Sequence, residues 1–222
     1  MDLSSFTPSS ALVTVVLIAL APFFAVMVTS FTKIVVVLSL VRNALGLQQV
    51  PPNIVLNGLA LILSVYVMYP TMQNMQAAAA QPGSAAQGME EGSNATLFAA
   101  ADKAKEPLRK FLLEHSEPGE RAFFQRTQAR VAQKAGTVPA AATDFVVVIP
   151  AFVVKELTMA FQIGFLIFLP FLVIDLVISN ILLAMGMMML SPVTISLPFK
   201  LLLFVLVDGW VNLSHGLVLS YL

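Results

Sequence analysis

Cysteine is absent from this 222-residue chain, and histidine occurs only twice, as His115 and His215. Without a thiolate there is no disulfide framework, no iron–sulfur cluster and no Cys-ligated zinc. Two histidines are too few for a His-based metal centre, so neither a metal nor a cofactor is expected. No phosphate-binding loop or dinucleotide fingerprint occurs. Charge is scarce as well. Asp, Glu, Lys and Arg make up 11% of the residues, against about 25% in a soluble domain. The 12 basic and 12 acidic residues cancel, which leaves no global field to collect nucleic acid. What fills the chain is apolar: 58% hydrophobic residues and a mean hydropathy of +0.88. That excludes a disordered chain and argues against an ordinary soluble enzyme.

The charges are unevenly placed. Sixteen of the 24 lie between Glu90 and Asp144. The remainder are Asp2, Lys33, Arg42, Lys155, Glu156, Asp175, Lys200 and Asp208. Asn43 to Met89 and Leu176 to Phe199 carry none, and uncharged apolar runs of this length mark membrane helices. Four segments are expected: about Ala11–Val41, Ile54–Tyr69, Leu157–Leu190 and about Phe199–Leu222. The third would be roughly 51 Å of helix and the second roughly 24 Å, against a bilayer core of about 30 Å. Tilt, proline kinks or packing against other proteins would absorb the mismatch.

The expected organisation has three parts. Residues 1–76 hold N-terminal hydrophobic helices, 77–144 a charged helical insert, and 145–222 a C-terminal helical hairpin. The small-residue stretch from Ala77 serves as a linker, and Pro107 and Pro118 fit the first turns of two insert helices. Leu108, Phe111 and Leu112 would form one apolar face of the insert, and Phe123, Phe124 and Val131 another. No basic n-region precedes Lys33, so the first segment is read as retained. Lys33, Arg42 and Lys200 near the turns place those turns in the cytoplasm and the insert outside.

Met185, Met187, Met188 and Met189 fall within five residues. On a helix these side chains would fan widely; in a loop, several copies could converge on an axis. Methionine is deformable, so such a ring could seal a pore and yield to a passing chain. Gap-filling at a crowded helix end is the alternative. Glu156, Asp175, Lys200 and Asp208 are charges in apolar surroundings, where they face protein or water. In a straight hairpin turning near Pro192, Asp175 stands about 25 Å up one arm and Lys200 about 12 Å up the other. Lys200 then meets neither Asp175 nor Glu156 within a straight hairpin, and a kinked helix or another subunit must supply its partner, with Glu156 across a subunit boundary the first candidate. Asp175 and Asp208 also suggest a proton-coupled transporter subunit. An intramembrane aspartyl protease is a further alternative, although no glycine directly precedes the second aspartate.

Longer stretches carry a family resemblance. They are Thr29 to Val35, Val41 to Asn53, Ile149-Pro150-Ala151-Phe152, Ala160 to Phe165, Leu169-Pro170-Phe171, Asp175-Leu176-Val177 and the run from Met185 to Trp210. Together they closely resemble the R subunit of type III secretion export apparatuses (SctR, HrcR) and its flagellar counterpart FliP. The resemblance covers roughly residues 10–75 and 145–222; the insert matches in position, size and charge. The flagellar branch commonly begins with a cleaved signal peptide, so the virulence or symbiosis injectisome branch is expected. The resemblance implies a non-enzymatic, all-α membrane protein of helical hairpins, built into a helical hetero-oligomeric export gate in the bacterial inner membrane. About five R subunits would join S and T subunits, alongside the U switch and V export subunits. The multi-pass gate would be raised toward the periplasm, with unfolded substrates passing through its centre. The family's methionine gasket maps onto Met187, Met188 and Met189, with Met185 adjacent. Its buried or inter-subunit charges map onto Glu156, Asp175 and Lys200.

Overall fold

The computed structural model describes residues 26–80, 93–187 and 189–222, with positions 15, 16, 19, 20, 22 and 23 ahead of them; for 93–101 the description covers the backbone. Met188, one of the expected gasket residues, lies outside the described residues. Within them all regular structure is helical: α1 (Phe31–Ala44), α2 (Asn53–Ala79), α3 (Ser93–His115), α4 (Pro118–Ala135), α5 (Phe145–Ala184), α6 (Pro192–Leu206) and α7 (Gly209–Leu219). Two helices, α2 and α5, are long and apolar enough to cross a membrane, and the bent pair α6–α7 adds a third if taken as one span.

Local chemistry sets most of the boundaries. Pro118 and Pro192 open α4 and α6 at the first helical turn, where a missing N–H goes unneeded. Pro107, expected in the same role, lies inside α3 instead; the alanines ahead of it at Ala99, Ala100, Ala101 and Ala104 are strong helix formers. For the same reason α2 runs on through Ala77–Ala79 to its end, where a linker was expected, and so crosses the 76/77 boundary. It passes Pro70, and α5 passes Pro150 and Pro170, without a break. Each proline removes one backbone donor, but unwinding an apolar helix would strand several groups away from water.

The fourth expected segment is two helices rather than one. The pair α6–α7 bends by 60° at Asp208, whose φ of 49° is the left-handed region that aspartate tolerates better than most residues. A Cβ on the next residue, Gly209, would stand 2.3 Å from the Phe204 ring.

Helix α1 is the hub. Its face of Ile34, Val37, Leu38, Val41 and Ala44 is fully buried, the i, i+3, i+4, i+7 pattern of a core-facing stripe. Helix α5 lies along it in the same direction: Lys33 meets Glu156, and Leu40 meets Gly164. A Cβ at Gly164 would come within 2.3 Å of Leu40 Cδ1, so glycine sets the closeness of this pair. The main core adds Leu56 and Ala60 from α2, Phe171 from α5, Phe204 from α6, and Leu213 and Leu217 from α7. A second core joins Phe111 and Leu112 of α3 to Val148 and Phe152 of α5 and to Met68 of α2. The first expected insert face is therefore the one that docks. The other is not: Phe123 and Val131 are 59% and 61% exposed, and Ala132 is the buried residue of α4. The strip holding Phe123 also carries Arg126 and Arg130, and desolvating them outweighs the gain from one ring.

Candidate functional site

The methionine cluster is a loop, and glycine makes it one. At the end of α5 the Gly186 N–H donates to the Leu183 carbonyl (3.0 Å) and the Met187 N–H to the Leu182 carbonyl (2.9 Å). Gly186 sits at φ 71°. This is a Schellman turn, which ends a helix by using a left-handed residue to satisfy its last carbonyls. Beyond it the Leu190 N–H donates back to the Met187 carbonyl at 3.4 Å, and the next helix opens at Pro192. Met185, Met187 and Met189 are 59%, 41% and 101% exposed, so all three stand open among the described residues. An equivalent turn at Gly46 (φ 79°) ends α1, and a Cβ there would lie 3.6 Å from Val193 Cγ1. The α1–α2 turn and the methionine loop therefore share one end of the molecule.

Directly below this loop is a charge centre. Lys200 Nζ is 2.7 Å from Asp175 Oδ2 and donates to the Ala44 carbonyl at 3.1 Å. The Ser196 hydroxyl donates to Asp175 Oδ1. Lys200 thus sits at the C-terminus of α1, where the helix dipole favours a cation. Its side chain is 3% exposed and that of Asp175 is 25% exposed.

This corrects the expectation that Lys200 finds neither acid within a straight hairpin. That geometry carried the helix on to Pro192, whereas α5 ends at Ala184. Measured from the true helix ends, Asp175 stands about 13 Å down one arm and Lys200 about 12 Å down the other, so they are level.

Glu156 forms a separate centre about 28 Å back along α5. Its partner is Lys33 of α1, 3.6 Å away, and both side chains are 3% exposed. The Tyr221 hydroxyl donates to Glu156 Oε2, and Lys33 Nζ stands 3.4 Å from the centroid of the Tyr221 ring. Burial, with the adjacent Glu156 carboxylate, pushes the Tyr221 phenol above its ordinary value, so it stays a donor. Beside the pair, the Ser30 hydroxyl donates to Ser64 at 3.0 Å, tying α2 to the start of α1. A Glu156–Lys200 pairing is therefore not needed to neutralise either charge.

Sequence reasoning missed Lys33 and Tyr221 at this centre. Lys33 was assigned to a turn as a topology marker, yet it lies inside α1 and 2% exposed. An aromatic residue just beyond an apolar helix carries no signal of its own. Arg42, the other marker, donates to the Pro51 carbonyl at 3.3 Å and to Asn53 Oδ1, holding the α1–α2 turn closed.

The alternative readings lose their geometry. Asp208 is exposed at the α6–α7 bend, about 12 Å of helix beyond Lys200, whereas Asp175 is held by Lys200 and Ser196. The two aspartates do not form a dyad or a shared proton site. Among the described residues no three His, Asp or Glu side chains converge in a way that could hold a metal.

Known proteins place this architecture. The FliP family profile matches residues 13–217. The chain is 51% identical over 215 residues to the hypersensitivity response secretion protein HrcR of Ralstonia nicotianae, covering 96% of this chain and 97% of the relative. It is 50% identical over 211 residues to the Yop proteins translocation protein R of Yersinia pestis, with 92% of each covered. It is 46% identical over 213 residues to the virulence protein YscR of Salmonella typhimurium, covering 92% and 93%. The chain belongs to the FliP family and is a helical membrane subunit, of the R type, of a type III secretion apparatus.

Proposed function

We propose that this chain is a core subunit of the export gate, the channel through which unfolded proteins cross the bacterial inner membrane. Copies of it, about five by family resemblance, would close around an axis with S and T subunits and work beside the U and V subunits. Its methionines would line the narrowest point. The observation that carries this reading is the exposure of Met185, Met187 and Met189 on a loop stopped by Gly186. Flexible apolar side chains left uncovered at one end of a helical hairpin suit a ring formed by neighbouring copies. The three parts 1–76, 77–144 and 145–222 would then be the outer hairpin, a periplasmic insert and the pore-lining hairpin. The shared end of the α1–α2 turn and the methionine loop fits the placement of both turns on the cytoplasmic side. The work of export would come from elsewhere in the apparatus, since the chain carries no nucleotide-binding motif.

The test replaces Met187, Met188 and Met189 by alanine, with assembled complex and small-solute leakage measured in the same cells. A seal predicts normal assembly with a leaking membrane. Leucine replacements should retain much of the seal, because volume is nearly kept. If the methionines only fill a gap, the buried Met→Ala cost of about 2–5 kcal/mol each would instead show as lost assembly. Normal assembly without leakage refutes the seal.

A further inference from the structure

Tyr221 follows α7, yet its ring is the meeting point of three other elements. From α1, the Lys33 ammonium lies 3.4 Å from the ring centroid. From α5, Glu156 accepts a hydrogen bond from the phenol hydroxyl, and the carbonyl of Ser30, at the start of α1, stands 3.4 Å from the same hydroxyl. From the insert, the Phe111 ring stacks at 6.4 Å and the His115 ring tilts at 5.4 Å. The His115 ring also bridges two backbone carbonyls, with Nδ1 2.9 Å from that of Phe111 and Nε2 3.5 Å from that of Tyr221. Tyr221 packs on the second core, where α3 docks on α5.

The anchor is a single residue. Its N–H and that of Leu222 donate locally, to the Val218 and Leu219 carbonyls, both at 3.1 Å, and its carbonyl adds only the long 3.5 Å approach to His115 Nε2. Its neighbours Leu219 and Leu222 are 63% and 98% exposed. An open groove of about 790 Å³, walled by Ile62, Tyr66 and Tyr69 of α2, lies against this segment. The segment can therefore swing out without unwinding a helix or displacing one.

We propose that Tyr221 is a detachable clasp: its ring holds the charged insert against the hydrophobic block, while its hydroxyl fixes Glu156 beside Lys33. Withdrawal of this one side chain loosens the insert at α3 and leaves the main core closed. Tyr221 is a positioning residue here, acting through the insert and through Glu156.

The absence of cysteine gives a clean background for the test. Ser116→Cys, at a site 7% exposed beside His115, reports the insert; Ala160→Cys, at a site 0% exposed in the main core, reports global opening. Each is placed in the full chain, co-expressed with its partner subunits, and maleimide labelling rates are compared with and without Tyr221→Ala and Tyr221→Phe. Local release requires labelling at position 116 to rise by about tenfold or more in Tyr221→Ala with position 160 unchanged. Tyr221→Phe, which keeps the ring, should stay within about twofold of the parent at position 116. The proposal is overturned if Tyr221→Ala leaves position 116 protected, or if both positions open together. It is also overturned if Tyr221→Phe opens position 116 as far as alanine does, since the ring would then not be the holding element.

Discussion

The two buried charge centres differ in enclosure. Glu156 and Lys33 are both 3% exposed and capped by an aromatic ring. Lys200 is equally covered and also donates to the Ala44 carbonyl at the end of α1, but its partner Asp175 keeps 25% of its side chain open and accepts from the Ser196 hydroxyl. The first centre joins α1 to α5, with the Tyr221 ring between it and the insert, and the second lies under the methionine loop. A sealed pair has no water to replace a lost partner. A half-open pair can rehydrate, so it tolerates rearrangement near the methionine loop.

The largest effect is expected at the sealed centre. Glu156→Ala leaves the Lys33 ammonium buried without a counter-charge, at a cost of about 3–5 kcal/mol. Lys200→Ala leaves Asp175 able to reach water, and about 1–3 kcal/mol should be lost. Thermal unfolding of the co-expressed complex compares the two variants directly. Equal losses would mean that enclosure does not distinguish the centres.

A second measurement sharpens the pairing. A double-mutant cycle between Lys200 and Asp175 should give a coupling of about 0.5–3 kcal/mol, and one between Lys200 and Glu156 should fall within about 0.5 kcal/mol of additivity. Coupling of Lys200 to Glu156 instead would show that a neighbouring copy brings these two together in the assembly.

The smallest effect marks the baseline for an unburied charge. Arg126→Gln and Arg130→Gln lie on the exposed face of α4 and should each shift stability by no more than about 0.5 kcal/mol. A larger loss in the complex, with the isolated chain unchanged, would show that this face is covered by a partner.

Much of this was legible in the sequence, and the misses share a cause. The all-helical class, the charged insert and the docking face of Phe111 and Leu112 follow from charge spacing and helical period. The Asp175–Lys200 pair escaped because helix ends are the hardest feature to read from periodicity: the apolar run from Leu157 to Leu190 offers Gly164, Pro170 and Gly186 as candidate stops, and the left-handed φ that makes Gly186 the real one is visible only in the backbone. Lys33–Glu156–Tyr221 escaped because its members lie 123 and 65 positions apart in sequence, and no local pattern links them. The α6–α7 bend at Asp208 was hidden for the first reason, and the exposed Phe123 face because periodicity alone does not weigh the arginines beside it.

The notch at Gly164 has a mechanical consequence. Leu40 sits so close to the α5 backbone there that not even a methyl group fits between them. For α1 and α5 to slide past each other, the Leu40 side chain must leave this notch and pass residues that do carry a Cβ, such as the fully buried Ala160 one turn back. The pair therefore behaves as one stiff strut. A load applied along either helix is passed to the other with little give.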